Sequence, residues 1–346
     1  MTETEIAEKF KSYVSYRLPE ARNIDIGFIS PIFGGASRLT FRIELNFTMD
    51  GKKNSQRVIL RREIETGIID TKSRTEWEAY RAFYGTDVPV PKSIWLEEDP
   101  KWLGMPFFVM EEILNCFDAT RLFMVPPFDA VREKIGERFC RIMGTIPTVD
   151  LAAVGIEGKF EKPAADECWR RELDYWEATI NKKQLEPNPV VRAAIRWLRR
   201  NPPPPAQKVV AVHGDMRPGN FLFNETGEIK AIVDWEMSHI GDPLEDLAWG
   251  LNCDRIWSWW QPEQLALMAP REKAIGIWEQ TSGFKAEPDA LFWWEVFSSI
   301  KGMAIWISMN NVYTTGGNTD TIICFGGLWA GDHQRRLLIE QMRGGK

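Results

Sequence analysis

One stretch, residues 209–251 (VVAVHGDMRPGNFLFNETGEIKAIVDWEMSHIGDPLEDLAWGL), constrains the fold more than any other part of the chain. Val209–Val212 is a short apolar run of the buried-strand type, and it stops at His213. Asp215 falls in the loop that follows, and Asn220 stands at its far end. Phe221–Phe223 and Ile229–Val233 read as two further short strands joined by a turn containing Gly227, the second ending at Asp234. Polar groups are thus set at strand and loop ends beside an apolar scaffold, where folds usually hold reactive residues. The carboxylate of Asp234 and the amide of Asn220 offer the hard oxygen ligands that magnesium prefers. Asp215 is suited to accept a proton from, or orient, an attacking hydroxyl. His213 is read as a brace for the loop, because Asp215 fills the base position better. Positioning plus charge neutralisation is what phosphoryl transfer asks of a protein.

The rest of the chain divides around this segment. Residues 2–18 predict a helix, with Thr2 and Glu5 as a capping box and Ile6, Phe10, Tyr13, Val14 and Leu18 on one face. Strands are expected over Ile24–Phe33, Leu39–Phe47 and Arg57–Arg61, with an Asp50-Gly51 hairpin turn between the last two. A helix over 72–84 and a strand over Phe107–Glu112 follow. After Asn115 long helical patterns dominate, over 129–144, 166–181 and 189–200, until the NPPPP run at Asn201–Pro205 breaks the chain. The expected architecture is α+β and bilobal: a small antiparallel sheet with a helix over 1–112, and a mainly helical part over 113–346.

A chain of 346 residues suits two such lobes. A formal net charge of -6 argues against a general nucleic-acid binder. The five cysteines, Cys116, Cys140, Cys168, Cys253 and Cys324, have no CxxC spacing, so a zinc or redox motif has little support and reduced thiols are expected. The N-terminus lacks the pattern of a signal peptide, and no apolar run nears the roughly 20 residues of a membrane span. A cytoplasmic protein without a membrane partner is expected. Oligomeric state is not legible.

The spacing H-x-D-x-x-x-x-N, followed by an aspartate at a later strand end, is that of a kinase catalytic loop with its metal aspartate. Together with Arg217, Gly219, Asp234-Trp235-Glu236, Gly241-Asp242-Pro243 and Asp246-Leu247-Ala248, it resembles the aminoglycoside-phosphotransferase and choline-kinase-like family. The string is most similar to that of the kinase-like domain fused to some acyl-CoA dehydrogenases. The resemblance implies a protein-kinase-like fold, ATP and Mg2+, and transfer of the γ-phosphate to the hydroxyl of a small-molecule acceptor. It implies catalytic roles for Asp215, His213 and Arg217, and metal ligation by Asn220 and Asp234. Farther upstream, Gly34-Gly35-Ala36-Ser37 looks like the family's phosphate-covering loop, with Gly35 and Ser37 near the phosphates. Arg61 stands where the family places its phosphate-pairing base, Glu76 is similar to that base's acidic partner, and Glu111, Glu112 and Ile113 resemble the adenine-binding hinge. Two departures stand out. Arg61 replaces the usual lysine but keeps charge and can grip phosphate bidentately. Arg38 follows the loop serine where many relatives have asparagine.

Several residues have plainer readings. Asp242 reads as a helix N-cap, with Pro243 and Glu245 after it. Asp246 is expected to brace the catalytic loop through backbone hydrogen bonds. Arg61 and Glu76, taken alone, read as an ordinary surface ion pair. Glu236 suits metal, substrate or loop solvation equally, and His239 has no partner pattern. The C-terminal tryptophans are expected mostly in the core. Because residues 251–346 are near charge balance and rich in Trp, Phe and Met, an acceptor with substantial apolar surface and one hydroxyl is expected rather than a polycation. The resemblance implies a hydroxy acid or acyl-type compound, with an aminoglycoside or amino alcohol as the alternative substrate. Arg255 and Arg271 are candidates to meet its acid group. A catalytically silent nucleotide-binding module and an interaction scaffold stay open as alternatives.

Overall fold

A computed structural model describes residues 1–32, 37–118, 129–257, 264–265 and 268–344. Its N-terminal part is an antiparallel sheet with two packed faces. Strands β1 (Arg22–Ile32), β2 (Arg38–Met49) and β3 (Lys52–Glu63) form an antiparallel meander. Strands β4 (Ser93–Glu97) and β5 (Phe107–Glu111) complete a five-stranded sheet in the order β1-β2-β3-β5-β4. The β2–β3 turn places Asp50 at φ 52° and Gly51 at φ 72°, the left-handed pair that a two-residue hairpin requires.

One face of the sheet carries Phe41, Ile43, Leu45, Val58, Leu60, Phe107 and Val109 against Phe10, Tyr13 and Val14 of helix α1 (Glu3–Arg17). The Thr2–Glu5 capping box that starts α1 is present. The other face carries Ile59, Phe108 and Met110 toward helix α2 (Ser73–Phe83), in a core that runs on into the C-terminal half. Arg61 shares the parity of Ile59, so the pleat turns it toward α2 and the C-terminal half rather than toward α1. Strand β4 is not among the sequence expectations, because a bulge between Ser93 and Trp95 breaks its alternation.

The C-terminal part is mainly helical. Helices α3 (Asp129–Thr145), α4 (Cys168–Lys183) and α5 (Pro189–Arg200) match the three expected ones within a few residues. The chain then returns through β7 (Val210–Val212) to the hairpin of β8 (Phe221–Phe223) and β9 (Ile229–Ile232), with β6 (Phe117–Asp118) along the outer edge of β8. Strand β10 (His239–Gly241) pairs back onto β7. Helices α6 (Leu244–Trp257), α7 (Arg271–Ser282), α8 (Pro288–Thr314), α9 (Thr321–Phe325) and α10 (Gly331–Met342) close the fold. At the start of α6, Asp242 Oδ1 accepts the Leu244 N–H at 2.9 Å, the cap its sequence predicts. Helix α8 is apolar on most sides and is therefore buried, packed between α4, α5, α6 and α10. Trp278, Trp293 and Trp294 are core residues, as expected. None of the described helices is long and apolar enough to cross a membrane. The side chains of Arg255, Trp257, Trp259 and Trp260, and residues Gly34, Gly35 and Ala36 of the expected phosphate loop, lie outside the described residues.

Candidate active site

The catalytic loop is held by its own backbone. Asp246, at the start of α6, is buried, and its two carboxylate oxygens accept the N–H groups of His213 and Gly214, both at 2.8 Å. The Asp215 N–H donates to His213 Nδ1 at 3.1 Å. Nε2 is therefore the protonated nitrogen, and it donates to the Val233 carbonyl at 3.1 Å. Burial lowers the His213 pKa, the Asp246 and Asp215 carboxylates pulling the other way, and the ring stays a neutral strut between β7 and β9. This is the bracing role its sequence suggests. Gly214 sits at φ +86°, and a Cβ there would lie 2.4 Å from the Met237 carbonyl oxygen. Gly214→Ala is expected to displace the loop: turnover falls and the melting temperature drops by several degrees, which a paired assay and thermal melt would show. Wild-type behaviour in both would mean the loop has slack that this geometry denies.

Asp215 is surrounded by donors. Its Oδ2 accepts from Arg217 Nε at 3.0 Å and from Asn220 Nδ2 at 2.7 Å. Its Oδ1 accepts from the indole Nε1 of Trp249 at 2.7 Å. Asn220 Nδ2 also donates to the Asp215 carbonyl at 2.8 Å. With the amide nitrogen so committed, Oδ1 of Asn220 is the end left for another partner. Trp249 is a site residue that sequence reasoning missed, because a tryptophan in a helix reads as core. Its spacing of three from Asp246 is the signal that would have found it, since both then face the loop.

Across the cleft stands a buried charge cluster. Arg61 Nε lies 3.0 Å from Glu76 Oε1, and its NH2 donates to Asp234 Oδ1 at 2.7 Å. Glu76 is fully buried, which corrects the surface-pair reading; the parity of β3 had already turned Arg61 inward. Burial pushes the Glu76 pKa up to about 7, despite Arg61 beside it. Asp234 is shifted the other way: burial would raise it, but Arg61 and then Arg217 hold it below the usual carboxylate range. Asp234 adopts a left-handed conformation at φ 69°, with its N–H on Tyr80 Oη at 2.9 Å. Its side chain keeps 27% of its surface exposed, so a ligand can reach it. Glu236 is buried and accepts from Thr71 Oγ1 at 3.2 Å, with Arg38 NH2 3.9 Å away. Burial and the neighbouring Asp234 raise its pKa. Arg38 is therefore spent on Thr71 and Glu236, and ties the end of the expected phosphate loop to the segment after Asp234. Ser37 is buried beside it.

The expected hinge is partly committed. The Glu111 N–H donates to the Lys92 carbonyl at 3.0 Å, and the Glu112 N–H to the Arg57 carbonyl at 3.1 Å. The Lys92 N–H goes to the Glu111 side chain at 2.8 Å rather than to its carbonyl. The Glu112 carboxylate pairs with Arg57 and Arg42.

A cavity of about 450 Å³ opens beside Glu236 and Met237, with Ile69, Phe160, Tyr175 and Trp176 as its apolar walls. Four acidic residues on its lining, Asp70, Glu161, Glu172 and Glu236, face four basic ones, Lys72, Arg171, His239 and Lys301. Arg271 is not among them; it pairs instead with Glu295 at 2.5 Å. His239, given no role by sequence, lies 2.9 Å from Glu245 and 3.5 Å from Glu172 through Nε2.

A five-stranded antiparallel sheet over a helical half, with an H-x-D loop facing an Arg–Glu–Asp cluster, defines the kinase-like phosphotransferases. The chain belongs to the phosphotransferase enzyme family, whose model matches residues 29–284, and as a member it is a phosphotransferase with a hydroxyl acceptor. Among solved structures, a Ralstonia eutropha protein named for the aminoglycoside phosphotransferases superposes with a TM-score of 0.71 at 22% identity, over 98% of this chain and 99% of that one. The choline kinase of Streptococcus pneumoniae gives 0.59 at 13% identity, over 96% and 98%. A thermostable mutant of an aminoglycoside phosphotransferase, in ternary complex with ADP and hygromycin B, gives 0.58 at 15% identity, over 97% and 99%. These likenesses establish the fold. Among curated proteins, acyl-CoA dehydrogenase family member 11 of Gallus gallus is 26% identical over 57% of this chain and 25% of its own length. Acyl-CoA dehydrogenase family member 10 of Mus musculus is 29% identical over 50% of this chain and 16% of its own. The chain thus spans about a quarter or less of the length of these relatives.

Proposed function

We propose that this protein transfers the γ-phosphate of Mg-ATP to a hydroxyl of a hydroxy acid or acyl-type acceptor. The observation that carries the reading is the Asp215 carboxylate, gathered with Asn220 and Arg217 on one loop and facing Asp234, which Arg61 holds. ATP would lie between an N-terminal lobe of residues 1–112 and a C-terminal lobe of 113–346. Adenine would meet the hinge at the Glu111 carbonyl and the Ile113 N–H, since the Glu111 and Glu112 N–H groups are used within the sheet region. Ser37 and Gly35 would approach the phosphates with Arg61, which Glu76 orients from behind. The neighbour crystallised in ternary complex with ADP and hygromycin B supports a fold that takes a nucleotide and a small-molecule acceptor together.

The donor set fits magnesium. Asp234 is held ionised and keeps 27% of its side chain exposed, and Asn220 Oδ1 is the amide end left for another partner, so the two offer hard oxygen ligands to a divalent cation. Asp234 and the Oδ1 of Asn220 would hold the ion. When bound, the metal neutralises charge on the phosphate oxygens. Asp215 orients the acceptor hydroxyl and takes its proton as the new P–O bond forms and the bond to ADP breaks. Arg217 and Asn220 keep that carboxylate in place, and His213 keeps the loop in place.

The cavity beside Glu236 is the acceptor site in this reading. Its charges balance and its walls are apolar, which suits a hydroxylated acyl compound better than a polycation. Thermal unfolding with and without Mg-ATP tests the nucleotide half. Ligand at one hundred times its dissociation constant adds about 2.7 kcal/mol to the folded state, so a magnesium-dependent upward shift is expected. A panel of hydroxy acids and their thioesters, run beside aminoglycosides and choline, tests the acceptor. No shift at millimolar Mg-ATP sinks the nucleotide site; turnover of aminoglycosides alone sinks the acceptor class.

A further inference from the structure

A carboxylate has two oxygens and about four lone-pair positions. At Asp215, Oδ2 already accepts two N–H groups, from Arg217 at 3.0 Å and Asn220 at 2.7 Å. Oδ1 accepts one, from the Trp249 indole at 2.7 Å. One position remains, and it is on Oδ1. We propose that Trp249 is a positioning residue: its indole N–H fixes the Asp215 carboxylate so that Oδ1 alone faces the acceptor hydroxyl, from the side the indole leaves open.

Trp249 is itself held on both counts that such a role requires. It is buried on α6, one turn beyond Asp246, so one helix face grips the loop's backbone and its reactive side chain together. The ammonium of Lys301 lies 5.0 Å from the centroid of the Trp249 ring. A cation over the ring draws electron density from the indole and strengthens its N–H as a donor. The same ammonium donates to the Gly214 carbonyl at 2.5 Å, so the lysine bridges the ring and the loop. In transfer, the acceptor O–H proton passes to Oδ1 as its oxygen bonds to the γ-phosphorus and the bond to the ADP oxygen breaks. Oδ2, filled by Arg217 and Asn220, takes no proton.

This inference rests on the phosphotransfer reading above, and the experiment separates the two. ATP turnover by the full chain is measured with Mg-ATP, water serving as acceptor, and then with whichever acceptor the panel yields. The proteins are wild type, Trp249→Phe, Trp249→His, Asp215→Asn and the Trp249→Phe/Asp215→Asn pair. Trp249→Phe keeps the packing and loses the N–H. It should lower kcat by about tenfold or more while KM for Mg-ATP and the Mg-ATP thermal shift stay within about twofold. Trp249→His keeps a ring N–H and should recover part of that loss. In the Asp215→Asn background Trp249→Phe should cost little more, because the indole acts only through that carboxylate. Wild-type kcat in Trp249→Phe, or the same fold-loss in both backgrounds, overturns the proposal. If Trp249→Phe does not melt as one transition, the cycle is run with Trp249→His, and additivity there overturns it equally. No turnover by the wild-type protein under any condition would fault the phosphotransfer reading instead.

Discussion

Asp215→Ala is expected to lower turnover by about 100-fold to 10,000-fold while leaving Mg-ATP binding close to wild type. The split follows from how the site is partitioned. Asp215 reaches Arg217, Asn220 and Trp249, all on the C-terminal side of the cleft. The groups on the nucleotide side, Arg61 with Glu76 behind it and Asp234 beside it, are joined through Arg61 and do not lean on Asp215. Asn220 keeps one partner in the variant, the Asp215 carbonyl at 2.8 Å, so its amide stays oriented. The Trp249 N–H loses its acceptor inside a buried site, at a cost of about 1–3 kcal/mol in stability. Turnover, Mg-ATP thermal shift and melting temperature together check the claim. Asp234→Ala is the contrast: it should lose turnover and the magnesium-dependent shift together. An Asp215→Ala protein with wild-type turnover would remove Asp215 from the reaction.

How much of this was legible in the sequence depends on how local each interaction is. His213, Asp215 and Asn220 sit within eight residues of one another, and their spacing alone announces a loop. The bracing by Asp246 was readable too, because the helix that starts near Asp242 carries its own cap signals. Arg61 could be placed on a strand, but only the pleat decides that it faces α2, and only packing buries Glu76 behind it. The plain reading of that pair as a surface contact failed for this reason. The cluster of His239, Glu245 and Lys301 was not legible, Glu245 being read only as part of a helix start. They come from β10, α6 and α8, and nothing in the local pattern around Lys301, an isolated lysine in an apolar helix, says what it will meet. Strand β4 escaped because its bulge defeats the period of two on which strand reading rests.

That illegible cluster carries the largest expected effect on stability. Glu245, 1% exposed, accepts from Lys301 Nζ at 3.2 Å and lies 2.9 Å from His239 Nε2. His239 Nδ1 faces the Met237 carbonyl at 3.0 Å, so both ring nitrogens point at acceptors. Burial would pull the His239 pKa down, but Glu172 and Glu245 outweigh it and hold the group at about 9. Glu172, His239 and Glu245, whose ligand atoms lie within 4.8 Å of one another, form an ion network with Lys301. Burial would raise Glu245, but His239 and Lys301 hold it well below the usual range. The pH dependence then has a definite sign. The raised His239 contributes its full stability below its ordinary pKa of 6.5 and loses it as pH rises through about 9. The lowered Glu245 contributes above its ordinary 4.5 and loses that only in strong acid. The cluster is therefore strongest between these two ordinary values, and wild-type stability should fall from pH 6 to pH 9 by up to about 3 kcal/mol. His239→Asn should flatten that slope in urea titrations at the two pH values; an unchanged slope would mean His239 does not hold the second proton. Glu245→Ala should cost about 3–5 kcal/mol at pH 6, because Lys301 and His239 are then left buried with Glu172 alone. The same variant frees Lys301 from one of its two anchors, so the Gly214 carbonyl becomes its main partner and the loop stays bonded. Stability should thus fall further than turnover does in Glu245→Ala, the reverse of the order expected for Asp215→Ala.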